Sequence, residues 1–147
     1  MTTTLAFALS LTASAALIAG SAIAADAQGG RKFQTSLTGG AEIPGPGDAD
    51  ARGIASITIN SGQKRICYKL SVSNIDAATM AHIHVGAVGV AGAVVVPLTA
   101  PSGGSSSGCA TVTRALALAI LKNPSRYYVS VHNAAFPAGA ARGQLHK

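Results

Sequence analysis

The chain of 147 residues carries 11 Lys and Arg against 5 Asp and Glu, which gives a formal net charge of +6 at pH 7. So few acidic residues argue against catalysis by a pair of carboxylates. The basic residues are scattered along the chain and aromatic residues are few, which argues against a nucleic-acid-binding surface. The length is enough for one domain with its own hydrophobic core.

The N-terminal segment is typical of a secretory signal peptide. An uncharged run rich in Ala and Leu over residues 5–20 is followed by two small-residue cleavage sites, after Ala24 and after Ala27. We expect residues 1–27 to be removed on export to the periplasm or out of the cell, which leaves eleven basic and four acidic residues and a formal charge of +7. An uncleaved anchor is the alternative, but the run is short for a membrane span. No later segment is long and apolar enough for one.

Short strands separated by turn-rich segments are predicted along the rest of the chain. Residues 28–34 are assigned to a flexible leader, and residues 35–147 to one folded domain. Alternation of apolar and polar residues predicts strands over 32–37, 53–60, 65–72, 80–85, 93–98, 109–113, 126–132 and 141–146. One helix is predicted over 114–121, with Thr113 as its cap. This succession predicts an all-β antiparallel sandwich or barrel with one short helix.

Two cysteines, Cys67 and Cys109, lie in the exported part of the chain. An even number of cysteines in an exported protein predicts one disulfide. It would close a loop of about 43 residues and stabilise the fold by about 4 kcal/mol in the chain-entropy account. Two buried free thiols are the alternative.

Two histidines, His82 and His84, lie two residues apart on one predicted strand. Because side chains alternate along a strand, both imidazoles point to one face, and Ile83 and Val85 point to the core. On a later strand, Val129 and Val131 belong to the apolar set. The residues that alternate with these valines therefore point to the same face as the two histidines. The same holds for the polar residues of the last strand.

If these three strands are neighbours, their polar residues converge into one patch. Three imidazoles suit copper or zinc, and the candidate metal ligands are His82, His84 and His132. The other residues of the predicted binding patch are Tyr128, Ser130, Asn133, Arg142 and Gln144. Among these, Tyr128, Ser130 and Asn133 are candidates for holding the second ring nitrogens. The alternative is a hydrogen-bonded histidine cluster that ties loops to the sheet.

Several segments together resemble the CHRD domain, a module first described in chordin and also found alone in exported bacterial proteins. The matching segments are 37–44 (LTGGAEIP), 53–58 (GIASIT), 66–72 (ICYKLSV), 81–86 (AHIHVG), 127–133 (YYVSVHN), 136–139 (FPAG) and 142–145 (RGQL). The resemblance covers residues 35–147. It implies an antiparallel Greek-key or immunoglobulin-like β-sandwich outside the cytoplasm, and no settled activity.

The first functional hypothesis is a non-enzymatic exported CHRD module of the cell envelope or extracellular space, which binds an unknown protein or an acidic envelope polymer. The alternative is a metalloprotein that binds copper or zinc through the three histidines. The segment 82–86 (HIHVG) also resembles the copper-binding strand of copper-zinc superoxide dismutases. The zinc-site loop of those enzymes has no counterpart here, so dismutase activity is not predicted.

Overall fold

The computed structural model describes residues 29–147, and the predicted signal peptide lies outside this range. In chain order the strands are β1 Arg31–Thr38, β2 Arg52–Asn60, β3 Arg65–Ser73, β4 Ala78–Val85, β5 Val94–Leu98, β6 Ser105–Thr111, β7 Tyr127–Asn133 and β8 Ala141–Gln144. The α-helix α1 spans Arg114–Lys122, and two short 3-10 helices span Gly39–Ala41 and Pro124–Arg126. Within residues 29–147, no helix has the length and apolarity needed to cross a membrane.

All eight strands belong to one antiparallel sheet in the order β5-β4-β7-β8-β1-β2-β3-β6. The two end strands, β5 and β6, approach each other, so the sheet is nearly a barrel. The hydroxyl of Tyr68 on β3 donates to Thr99 Oγ1 at 2.9 Å, and Ser106 on β6 donates to the Thr99 carbonyl at 2.7 Å. The all-β prediction with one short helix is confirmed, but the finer expectation of a Greek-key or immunoglobulin-like sandwich is not, since hydrogen bonds join all strands into one sheet.

The interior of this near-barrel is apolar. Strand β3 shows how the sequence produces it, because Ile66, Tyr68 and Leu70 are buried while Lys69 and Ser71 are exposed. The inward-facing apolar residues of the other strands join these residues in one continuous core. Burial of this apolar surface provides the main driving force for the fold.

Helix α1 closes one side of the core. It buries Ala117 and Ile120, and its cap is the predicted one, since the Thr113 side chain accepts a hydrogen bond from the Leu116 N–H at 3.1 Å. Cys67 on β3 and Cys109 on β6 are directly opposite in register and form a disulfide, as predicted. This disulfide crosslinks two neighbouring strands at one end of the sheet.

Most element boundaries lie within two residues of the predicted ones, and two differences change how a segment is assigned. Strand β1 begins at Arg31, inside the segment 28–34 that was assigned to a leader, because Arg31 already pairs with Ile59 of β2. Strand β6 begins at Ser105, four residues before the strand predicted over 109–113, in a Ser/Gly segment. Ladder hydrogen bonds come from the backbone, so an end strand forms there without apolar side chains.

Candidate functional site: a histidine cluster under three loops

The candidate site lies on the outer face of the sheet, where β4, β7 and β8 are neighbours. The predicted adjacency is confirmed: β7 pairs with β4 on one side and with β8 on the other. His82, Ser130 and Arg142 form one row across these strands, because Ser130 is the register partner of both others. The predicted parity also holds, since Ile83, Val129 and Val131 lie in the core.

Three loops cover this outer face, so most of the predicted patch is buried, while His82 and Gln144 are half-buried. They connect β1 to β2 (residues 39–51), β4 to β5 (residues 86–93) and β7 to β8 (residues 134–140). The buried polar and charged residues in and beneath them include Glu42, His84, Ser130, His132, Asn133 and Arg142. Buried polar groups require partners, and loop backbone atoms supply many of them here.

The three histidines of the cluster are His82, His84 and His132, and one ring nitrogen from each lies within 4.8 Å of the others. His82 Nδ1 is 3.3 Å from His132 Nε2. Zinc–nitrogen bonds of about 2.0–2.1 Å place two ligand nitrogens of a tetrahedral site about 3.3–3.4 Å apart. His82 and His132 therefore already have the separation of two metal ligands, and the longest of the three nitrogen–nitrogen distances needs to shorten by at most about 1.5 Å.

Backbone carbonyls fix the protons of two of these rings. His84 Nδ1 donates to the Gly92 carbonyl at 2.9 Å, and His132 Nδ1 donates to the Pro137 carbonyl at 3.1 Å. A carbonyl only accepts, so each neutral ring carries its proton on Nδ1 and its lone pair on Nε2. The Nε2 atom of His84 is buried and has no hydrogen-bond partner. This arrangement of a carbonyl behind the ring and a free lone pair in front is the usual one for a metal-binding histidine.

Burial favours the neutral form of the three histidine rings. It lowers the pKa of His82, His84 and His132 below the ordinary value, because a charged imidazolium loses its hydration there. Repulsion from its two histidine neighbours lowers the pKa of His82 further. For His84, the carbonyl bond to Gly92 raises the pKa in part, whereas Arg142 lowers it. Neutral rings are the form that binds metal ions.

Tyr128 and Arg142 support the cluster from beneath as a stack of flat groups. The Tyr128 ring is parallel to the His84 ring with centroids 4.8 Å apart, and the Arg142 guanidinium lies 3.4 Å from the Tyr128 centroid. Arg142 is only 2% exposed, and it donates to the carbonyls of Val90 at 3.0 Å and Ala87 at 2.9 Å. Arg142 thus holds the β4–β5 loop, whose Gly92 orients His84.

Glu42 is a buried residue of this face that the sequence analysis did not single out. Ser130 Oγ donates to Glu42 Oε1 at 2.6 Å, so Ser130 holds a carboxylate and not a histidine. Burial raises the pKa of Glu42, while the Ser130 bond and the nearby Arg142 charge lower it in part. Gly139 allows this packing, since a Cβ there would lie 2.3 Å from the Glu42 carboxyl carbon. The only sequence signal for Glu42 was its position as the acidic residue of segment 37–44, which matches the CHRD family.

The remaining predicted patch residues organise loops. Asn133 accepts from the Phe136 N–H at 2.8 Å and so shapes the β7–β8 loop, which includes Pro137. Gln144 donates to the Gly86 carbonyl at 2.8 Å. None of Tyr128, Ser130 and Asn133 has a hydrogen bond to a histidine ring, as two of these rings bond to backbone carbonyls instead.

The fold and this face define the class of protein as a small all-β module with a nearly closed sheet and a buried histidine cluster. A family model described as the CHRD domain matches residues 33–145, which is most of the chain. The chain therefore belongs to the CHRD domain family. No curated protein and no solved structure gives a significant match.

Proposed function

We propose that this CHRD domain binds a transition-metal ion, copper or zinc, through His82, His84 and His132. The main support is the convergence of three ring nitrogens within 4.8 Å of one another. Imidazole nitrogen suits both metals, and the preset tautomers of His84 and His132 remove the need for either ring to lose its Nδ1 proton.

A purely structural cluster explains the contacts less well. Such a cluster would satisfy its own polar atoms, because a buried group without a partner costs about 1–3 kcal/mol. His84 Nε2 lacks a partner although it is buried. A metal ion between the rings would provide that partner.

His82 is the ring that adjusts. In the structure its Nδ1–H donates to the Nε2 lone pair of His132. Binding through His82 Nδ1 requires its proton to move to Nε2. No hydrogen bond to a carbonyl fixes the proton of this half-buried ring, so His82 can move its proton from Nδ1 to Nε2.

We further propose that the module is exported and acts without catalysis of its own. The signal-like segment 1–27 supports export, and the disulfide is compatible with it, since disulfides persist in oxidising compartments. An unknown protein or an acidic envelope polymer stays the proposed partner. The scattered charge supports the polymer, and such adsorption would weaken with salt.

The test is the metal content of protein purified from its native compartment, compared with the His82→Ala/His84→Ala double variant. We expect about one copper or zinc ion per chain in the native protein and at least a hundredfold weaker binding in the variant, since it loses two of three ligands. His146→Ala is the matched control, because His146 is exposed and outside the cluster. Equal metal content in the native protein and the double variant would remove the site.

A further inference from the structure

Met80 is an exposed apolar side chain beside the histidine cluster. It is 46% exposed, and it lies two residues before His82 on β4. Its register partner on β7 is His132. Directly opposite residues share one face of a sheet, with Cβ atoms about 4.5–5.5 Å apart. Met80 therefore lies on the same face as all three histidines.

An irregularity in the sheet lies directly before Met80, at Thr79. Ala78 pairs with Asn133 and Met80 pairs with His132, so Thr79 is an additional residue in β4. In a regular strand, residues two apart such as Ala78 and Met80 would share a face. Here Ala78 is buried at 4% exposure, whereas Met80 is exposed. Bulges commonly redirect a side chain beside a functional site. After the bulge, Met80, His82 and His84 alternate regularly on one face, so the bulge separates the buried Ala78 from the face of the histidines.

From this placement we infer that Met80 supplies a thioether as the fourth ligand and that the site thereby selects copper, in its Cu(I) state, over zinc. This inference rests on the proposed three-histidine site. Thioether is a soft ligand that favours Cu(I), and three rotatable bonds let the sulfur of an exposed methionine move to the ion. Met80 and half-buried His82 also mark the open side of the cluster, where an ion can enter.

The charges around the site favour a monovalent ion as well. The proposed ligands are three neutral imidazoles and one neutral thioether, with no carboxylate among them. The nearest buried carboxylate, Glu42, bonds to Ser130. Arg142 lies against Tyr128, the ring that stacks on His84, and so adds positive charge behind the cluster. Repulsion from this cation is larger for Zn(II) than for Cu(I) at the same distance.

The experiment compares Met80→Leu with the native protein in two titrations. Cu(I) affinity is measured in competition with bicinchoninate under ascorbate, and Zn(II) affinity in competition with a chromophoric chelator. We expect Met80→Leu to weaken Cu(I) binding by at least about tenfold and Zn(II) binding by less than about threefold. Val94→Ala is the control, since Val94 is a similarly exposed apolar residue opposite His84 and has no sulfur; both affinities should stay unchanged.

The two proposals fail in different ways. Unchanged Cu(I) affinity in Met80→Leu, with metal still bound to the native protein, overturns the thioether ligand and leaves the histidine site standing. A native protein that binds neither ion overturns both. A second measurement uses selenomethionine, because Met1 and Met80 are the two methionines of the sequence. X-ray absorption at the selenium edge should show a copper neighbour that is lost in Met80→Leu, and its absence from the native protein would contradict the inference.

Discussion

Strands β3 and β7 bury their side chains in different ways. On β3, buried residues such as Ile66 and Leu70 alternate with exposed ones such as Lys69 and Ser71. On β7, all seven residues of Tyr127–Asn133 are buried. One face of β7 joins the apolar core, and the other lies under loops. The comparison shows that one sheet borders two interiors, an apolar one inside the near-barrel and a polar one outside it.

The polar interior exists because partners meet nearly every polar group that it buries, and His84 Nε2 is the exception on this face. Removing a polar group from water without a partner costs several kcal/mol. Ser130 has Glu42, His132 has the Pro137 carbonyl, and Arg142 has loop carbonyls. The β3 side needs no such loops, since its outer face remains in water. The loops over β7 are therefore part of the site and not only connections.

The largest expected effect tests whether the β3–β6 side of the sheet, which contains the disulfide, is independent of the β4–β7–β8 side, which contains the histidine cluster. The double variant Cys67→Ser/Cys109→Ser removes the crosslink between β3 and β6 and should lower the free energy of unfolding by about 4 kcal/mol in urea. The crosslink is on strands other than those of the histidine cluster. We therefore expect metal affinity, measured where circular dichroism shows a folded chain, to change less than about threefold. A parallel loss of affinity would show that the two sides act as one unit.

A smaller effect is expected from Arg142→Met, which keeps the length of the side chain but removes its donors. It leaves two loop carbonyls unpaired and the buried Glu42 without its nearby positive charge, so the free energy of unfolding should fall by about 3 kcal/mol. Urea unfolding measures the change. Metal affinity should fall too, because the loop that contains Gly92 is no longer held.

Arg52→Met is the matched control for this prediction. Arg52 also donates to two carbonyls, those of Ala49 at 3.1 Å and Ala51 at 2.7 Å, but it is exposed. Water can replace its bonds, so we expect a loss below about 0.5 kcal/mol. Similar losses in the two variants would contradict the view that burial distinguishes the two faces.

The sequence was sufficient for the strands and for the identity of the histidine face. Alternation around Ile83 and Val129 defined the inward residues, and the parity of His82 and His132 followed from it. The alternation of apolar and polar residues does not show whether the polar face of a strand is exposed to water or covered by loops, because the residues are polar in both cases. For this reason Arg142 was assigned to a patch and not to an interior.

The contacts that orient the histidines could not be predicted, because they are made by backbone atoms. Gly92 and Pro137 act through carbonyls, and any residue at those positions offers one. The bulge at Thr79 is not predicted either, because the predicted strand begins at Met80, one residue after the bulge. Glu42 is 88 residues from its partner Ser130, a pairing that only the folded chain reveals.

The smallest expected effect concerns the pH dependence of the polar interior. Burial raises the pKa of Glu42 above its ordinary value of 4.5. The stability that its protonated form contributes is therefore fully present below pH 4.5 and is lost as the pH rises through the folded-state pKa. Glu42→Gln resembles the protonated acid at every pH. Relative to the native protein, the variant should thus gain unfolding free energy between pH 4 and pH 7.

Urea unfolding of both proteins at the two pH values measures this gain, and shared titrations such as those of the histidines cancel in the difference. Asp50→Asn is the control, because Asp50 is exposed and its difference from the native protein should stay within about 0.5 kcal/mol at either pH. A Glu42→Gln variant that loses stability as the pH rises would mean that the attraction between Glu42 and Arg142 outweighs the cost of burying the charge. In that case the outer interior would be held by an ion pair rather than by neutral hydrogen bonds.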